Sequence, residues 1–286
     1  MIKTRNGKII STNQKQNRLL KMLYGNTFGR MLLKLLTAPA VSKIGGAFMN
    51  SAFSKPLISR FIKSANIDTS QYVMYNFGSY NEFFTRKIKD GKRPVDTDPK
   101  HLISPCDSKL TVYKISKKSI FRIKGSRYRV SDLVNSSETA ERYSGGYCLI
   151  FRLEVDDYHR YCYIDNGTKS DNTFIDGELH TVNPIALEHY NIYKRNCREY
   201  CILHTENFGD AVQVEVGAMM VGRIVNFDHV SEIKRGREKG MFEFGGSTIV
   251  MLFEKDRIAV DMDILRNSAD GIETVVKYGE KIGCAI

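Results

Sequence analysis

Residues 242–256 read Phe242-Glu243-Phe244-Gly245-Gly246-Ser247-Thr248-Ile249-Val250-Met251-Leu252-Phe253-Glu254-Lys255-Asp256. The run Ile249–Phe253 is apolar, β-branched and aromatic, and charged residues end it, so it reads as a buried strand. The two glycines and a serine ahead of it make, by themselves, an ordinary turn, because glycine accepts positive φ at no steric cost. Working outward, short alternating stretches recur at 108–114, 147–155, 211–216, 247–253 and 258–260. Turn pairs such as Asn166-Gly167 and Asp176-Gly177 separate them. On the N-terminal side, residues 12–66 read as helices broken at Gly25, Gly29, Pro39, Gly45-Gly46 and Pro56, and residues 80–86 as one short helix. The fold class is therefore α+β, with N-terminal helices followed by a predominantly antiparallel β core.

Charge divides the chain in two. Residues 1–67 carry eight lysines, four arginines and no acid, and Asp68 is the first carboxylate. This leaves 31 basic against 32 acidic residues for 68–286, so the net +11 belongs to one quarter of the chain. Apolar clusters at roughly helical spacing, such as Met31-Leu32-Leu33-Lys34-Leu35-Leu36, interleave with these bases. The division gives a basic amphipathic helical segment (1–67) that suits an anionic membrane surface, and a near-neutral domain (68–286). A solvated basic helix face on the core, or a transit sequence, fits the same pattern. Nucleic acid is not an expected partner, because bases and aromatics form no binding module. No run of eighteen apolar residues occurs, so the sequence offers no transmembrane helix. The six cysteines form no C-x-x-C pair, and no second Cys/His pair accompanies Cys197 and Cys201, so no metal site is expected. Free thiols point to a reducing compartment.

A serine becomes a nucleophile when a base takes its proton and a third group orients that base. Ser247 is one candidate. His159, just beyond the 147–155 strand, is a candidate base, and equally a hydrogen-bonded structural histidine. Asp107, in Ser104-Pro105-Cys106-Asp107-Ser108-Lys109-Leu110, is a candidate orienting acid or an Asx turn. Asp156 and Asp157 compete with it for His159.

Six blocks carry a family resemblance in their order along the chain: SPCDSKL (104–110), DYHRY (157–161), GELHTVNP (177–184), ENFGDAVQVEVGAMMVGRIV (206–225), KGMFEF (239–244) and GGST (245–248). YNEFFTRKIKDGKRPV (80–95) precedes them. Together they resemble the phosphatidylserine decarboxylase family, from about residue 70 to the C-terminus. The resemblance implies a proenzyme that cuts itself between Gly246 and Ser247. Ser247 Oγ would attack the Gly246 carbonyl to give an ester, with His159 taking the hydroxyl proton and Asp107 holding the imidazole. Elimination and hydrolysis would leave a covalent pyruvoyl group at residue 247. That group would form a Schiff base with phosphatidylserine and accept the electrons as CO2 leaves, yielding phosphatidylethanolamine. The chains 1–246 and 247–286 would stay together as a heterodimer, peripheral on the cytoplasmic face of the cell membrane.

Cys162 stands where many members of that family have a second histidine, and an ordinary thiol does not replace a neutral imidazole as base near pH 7. His159 is therefore expected to serve alone. Two other readings remain at this point. One is a pyruvoyl-type lyase acting on another amine, and the other an uncleaved lipid-binding relative. A serine hydrolase fits less well, because Gly-Gly-Ser-Thr lacks the G-x-S-x-G elbow.

Overall fold

The computed structural model describes residues 1–10, 22–26, 29, 39–123, 126–178, 180–181, 192–218, 223–244 and 247–286. Among these, eleven strands form one large sheet. Its order runs Ser231–Ile233, Gly167–Lys169, Arg198–Thr205, Gly209–Val216, Ser247–Phe253, Tyr147–Leu153, Ser108–Lys114, Glu273–Val276, Ile2–Lys3 and Ile9–Ile10, with Thr173–Ile175 also on Arg198–Thr205. Every pairing in it is antiparallel except Ile2–Lys3 against Glu273–Val276. The fold is the expected α+β type with an antiparallel core.

The strand that opened the sequence analysis lies in the interior of this sheet. Ser247–Phe253 is paired along one edge with Tyr147–Leu153, Ser247 facing Leu153, and along the other with Gly209–Val216, Thr248 facing Val216. All seven of its residues are buried. Covering both faces is what permits an unbroken apolar run in place of alternation. Burial of five large apolar side chains contributes on the order of 10 kcal/mol, an upper figure because denatured chains already hide some surface.

A second sheet, Ile224–Asn226, Glu238–Phe242 and Arg160–Cys162, is tied to the first by a buried ion pair. Lys239 Nζ lies 2.8 Å from Glu215 Oε1, with neither side chain exposed, and also donates to Asn226 Oδ1 at 2.6 Å. Gln213 Nε2 donates to the same Glu215 oxygen. Such a pair is tolerated because every member is also hydrogen-bonded, and loss of either charge alone would strand the other.

The N-terminal third departs from the expected breaks. One helix, Pro39–Asn50, runs straight through Gly45-Gly46, and Pro39 and Pro56 begin helices in place of breaking them. Proline suits a first turn, whose N–H has no helical partner. Two glycines lower helix propensity by about 1 kcal/mol each, which tertiary packing readily overrides. Of the helices expected across 12–66, the parts at 12–21, 27–28 and 30–38 lie outside the described residues. Residues 1–10, which the charge boundary groups with the basic segment, add two edge strands to the large sheet. Arg5 fastens them, reaching Asp261 at 2.7 Å and Asp263 at 2.8 Å.

The short helix Tyr80–Phe84 connects this third to the core. Ser79 caps it by accepting from Glu82 N–H, and Glu82 reaches back to the Gly78 amide, which explains why so short a helix forms. From the helical pair, Ser54 Oγ accepts from Tyr80 N–H at 2.8 Å, and Phe61 packs on Tyr80 and Phe83 with centroids 5.5 and 6.2 Å away.

Candidate active site

Ser247 is the first residue of the interior strand and is fully buried, and its Oγ has no hydrogen-bond partner. The Thr248 hydroxyl is likewise buried and unpartnered. An unpaired buried hydroxyl costs about 1–3 kcal/mol, so two in succession at a strand start mark a place where something other than packing is served. Gly245 and Gly246 lie outside the described residues, and so does the expectation placed on the Gly246 carbonyl.

His159 directly precedes the Arg160–Cys162 strand and is fully buried. Its main-chain carbonyl accepts from Phe242 N–H at 2.9 Å, which ties it to the segment leading into Ser247. Its ring Nδ1 lies 2.9 Å from the Asp157 carbonyl oxygen. A carbonyl can only accept, so Nδ1 carries the proton and Nε2 keeps its lone pair. That Nε2 is buried without a partner. Burial lowers the imidazole pKa from 6.5 to about 4, against the opposing pull of Asp157. The ring is thus neutral at pH 7 with its basic nitrogen free, the state a general base requires.

The orienting group is not the expected one. The Asp107 carboxylate, almost wholly buried, is taken up by Arg93 (Nη2 at 2.7 Å, Nε at 2.9 Å), Lys277 Nζ at 3.2 Å and the Tyr278 amide at 2.9 Å. Two cations and an amide leave it no part in holding the ring, and the main chain of Asp157 takes that role. The Asp157 carboxylate points elsewhere, accepting from Lys109 Nζ at 2.5 Å and Glu154 N–H at 2.7 Å. Burial would raise its pKa, but Lys109 outweighs burial and holds it low. Asp156 moves the other way, raised by burial and by neighbouring Asp157. Asp107, Asp156 and Asp157 line one cleft of ≈ 440 Å³ with Tyr72, Arg93 and Lys277.

Aromatic rings pack around His159. The Phe84 ring lies 4.1 Å from the His159 ring between centroids, and Phe244 packs on Phe84 at 5.4 Å and Tyr80 at 5.0 Å. Asn81 holds Phe244 in place. Its Oδ1 accepts from Phe244 N–H at 2.8 Å while its Nδ2 donates to Asn50 Oδ1 at 2.9 Å. The chain just ahead of Gly245 is thereby fastened to the Pro39–Asn50 helix. Sequence reasoning assigned no role to Asn81 or Phe84. The signal was the spacing of Tyr80, Phe83 and Phe84, which puts three rings along one side of a helix.

Cys162 is fully buried, with Sγ 4.0 Å from the Ser104 carbonyl oxygen, and burial pushes its thiol up to about 12. It offers no second base. Among the described residues no cluster of His, Cys, Asp and Glu could hold a metal ion.

Comparison with known proteins adds an independent line. The profile of the phosphatidylserine decarboxylase family matches residues 80–284. The chain is 49% identical over 271 residues to phosphatidylserine decarboxylase proenzyme 2 of Clostridium acetobutylicum, covering 94% of this chain and 93% of that protein. It is 44% identical over 270 residues to the phosphatidylserine decarboxylase proenzyme of Clostridium kluyveri (92% and 91% covered). The corresponding protein of Clostridium novyi is 41% identical over 270 residues, with 92% of each chain covered.

The state of His159 has a consequence in pH. The unfolded chain binds its proton near 6.5 and the folded chain only near 4, so stability falls as pH drops through that window. Titration of the His159 ring signals by NMR in a Ser247→Ala chain is expected to show a midpoint near 4. A midpoint near 6.5 would place the ring in water and remove the case for a dry base.

Proposed function

The chain belongs to the phosphatidylserine decarboxylase family, and on that premise we propose that it decarboxylates phosphatidylserine to phosphatidylethanolamine after cutting itself between Gly246 and Ser247. The carrying observation is that Ser247 Oγ and His159 Nε2 are both buried and unpartnered, not hydrogen-bonded to each other in this structure, one needing to lose a proton and the other able to take it. In this reading Ser247 Oγ attacks the Gly246 carbonyl carbon while His159 Nε2 takes the hydroxyl proton, and the amide becomes an ester. Removal of the Ser247 Cα proton expels the carboxylate of residue 246 and leaves dehydroalanine. Hydrolysis then releases ammonia and leaves a ketone. Water is excluded until that last step, because the serine and histidine are both fully buried.

The surroundings of residue 247 fit a pyruvoyl group made there: the hydroxyl is unspent, the position is dry, and the strand behind it is held on both edges. When present, such a group supplies an electron sink for the pair released as CO2 departs. His159 Nε2 is the atom suited to hold the proton that replaces the carboxylate. Asp107 keeps Arg93 and Lys277 at the cleft, where an anionic lipid would enter. The small chain 247–286 stays paired to the large one through Ser247–Phe253.

The basic N-terminal segment serves membrane docking in this account. Ile44 is 72%, Phe48 45% and Phe53 85% exposed, beside Lys55, Arg60 and Lys63, and the Pro56–Ser64 helix has no buried residue. Apolar side chains among lysines and arginines suit the surface of an anionic leaflet. No helix among the described residues is long and apolar enough to cross a membrane. All six cysteines are free thiols, which agrees with a reducing compartment and so with the cytoplasmic leaflet.

Release of labelled CO2 from carboxyl-labelled phosphatidylserine in detergent micelles tests the reaction. The wild type is expected to release it and Ser247→Ala to release none; release by the variant would refute the role of residue 247. His159→Gln is expected to slow chain cleavage by about 10²–10⁴-fold. Sedimentation with vesicles tests docking: Phe53→Asp is expected to weaken binding to phosphatidylserine-containing vesicles, and unchanged binding would move docking elsewhere.

A further inference from the structure

Arg86 closes the YNEFFTR run and is 1% exposed, yet it has no acid partner. Its Nη1 makes one long contact, 3.4 Å to the Phe83 carbonyl, and its Nε and Nη2 have no partner at all. Other arginines in the interior, the buried Arg152 and Arg198 and the part-buried Arg235, are satisfied. Arg152 chelates Glu273 through Nε and Nη2 at 2.7 Å each, Arg198 donates to the carbonyls of Leu133, Asp132, Lys194 and Asn196, and Arg235 to those of Asp96, Ile164 and His101. The unused edge of Arg86 is the one with which Arg152 grips a carboxylate. A guanidinium kept dry with its bidentate edge open fits an oxyanion that arrives from outside.

Its position is that of the site. Phe84, two residues earlier, packs on His159. The guanidinium is held over the Tyr72 ring at 4.1 Å and the Phe83 ring at 4.7 Å. Tyr72 forms part of the wall of the cleft that Asp107, Asp157 and Lys277 also line, so the Arg86 guanidinium stacks on a ring that the cleft shares. The positive charge of Arg86 also reaches His159, where it helps keep the imidazole neutral.

We propose that Arg86 is the receptor for the phosphodiester of the lipid substrate, gripping one phosphate oxygen pair through Nε and Nη2. This rests on the decarboxylase reading. The carboxylate is the poorer match, because its charge is lost as CO2 leaves. A guanidinium on it would stabilise the ground state more than the transition state. The phosphodiester keeps its charge throughout, so an interaction with it lowers KM and leaves kcat nearly alone.

The test uses the full-length protein with Arg86→Gln and Arg86→Lys. Both variants are expected to cleave into two chains. For Arg86→Gln, KM for phosphatidylserine in micelles is expected to rise about 10- to 100-fold, the loss of a charge-assisted bidentate contact, with kcat within about threefold; Arg86→Lys recovers part of it. Calorimetric binding of glycerophosphoethanolamine, which has the phosphodiester and no carboxylate, is expected for the wild type and lost in Arg86→Gln. Unchanged KM in both variants overturns the assignment. So does retained binding of glycerophosphoethanolamine, or inorganic phosphate binding as tightly as the diester. Folded variants that fail to cleave overturn it too, since Arg86 would then serve processing. The binding measurement needs no turnover. A wild type that releases no CO2 but binds the diester through Arg86 would refute the reaction and leave the receptor standing.

Discussion

A single strand gripped on both edges carries the architecture of the site. Ser247–Phe253 is hydrogen-bonded to Tyr147–Leu153 on one side and Gly209–Val216 on the other, and all of it is buried. This fixes where the first residue of the strand can stand. It also buries that residue, and no protein group satisfies its hydroxyl. The same enclosure sets the protonation state of His159. Low dielectric penalises the imidazolium, and the Asp157 carbonyl selects the tautomer that leaves Nε2 basic. The proposed nucleophile and base would thus be prepared by burial more than by a charged relay.

The catalytic surroundings and the basic N-terminal helices are physically continuous. Asn50 holds Asn81, and Asn81 holds the Phe244 amide two residues from Gly246. Ser54 accepts from the first amide of the same short helix whose Phe84 ring lies on His159. A surface suited to docking on lipid therefore shares one hydrogen-bonded unit with the aromatic wall of the site. Each link is a single short polar side chain with few rotamers, so the wall and the N-terminal helices are held in one geometry.

Much of this was legible in the residues. The strands at 108–114 and 247–253 announced themselves by apolar, β-branched runs between turn signals, and they form with those bounds. Ser247 and His159 were singled out by residue type and by the ordered blocks around them, and both are buried with one polar atom unsatisfied. What the sequence hid was contact made at long range. Asp107 was read as the partner of His159, but Arg93, Lys277 and the Tyr278 amide claim it first, and no local pattern announces such competition. A main-chain carbonyl as orienting group leaves no trace in residue identity. The glycine pair at 45–46 misled because a glycine lowers helix propensity without forbidding a helix, and Pro39–Asn50 runs through both.

The intact masses of the purified chains under denaturing conditions bear most directly on self-processing. The account requires two species divided between Gly246 and Ser247, the smaller one lighter by one ammonia than an ordinary 247–286 peptide. A single uncut chain of 286 residues would contradict it.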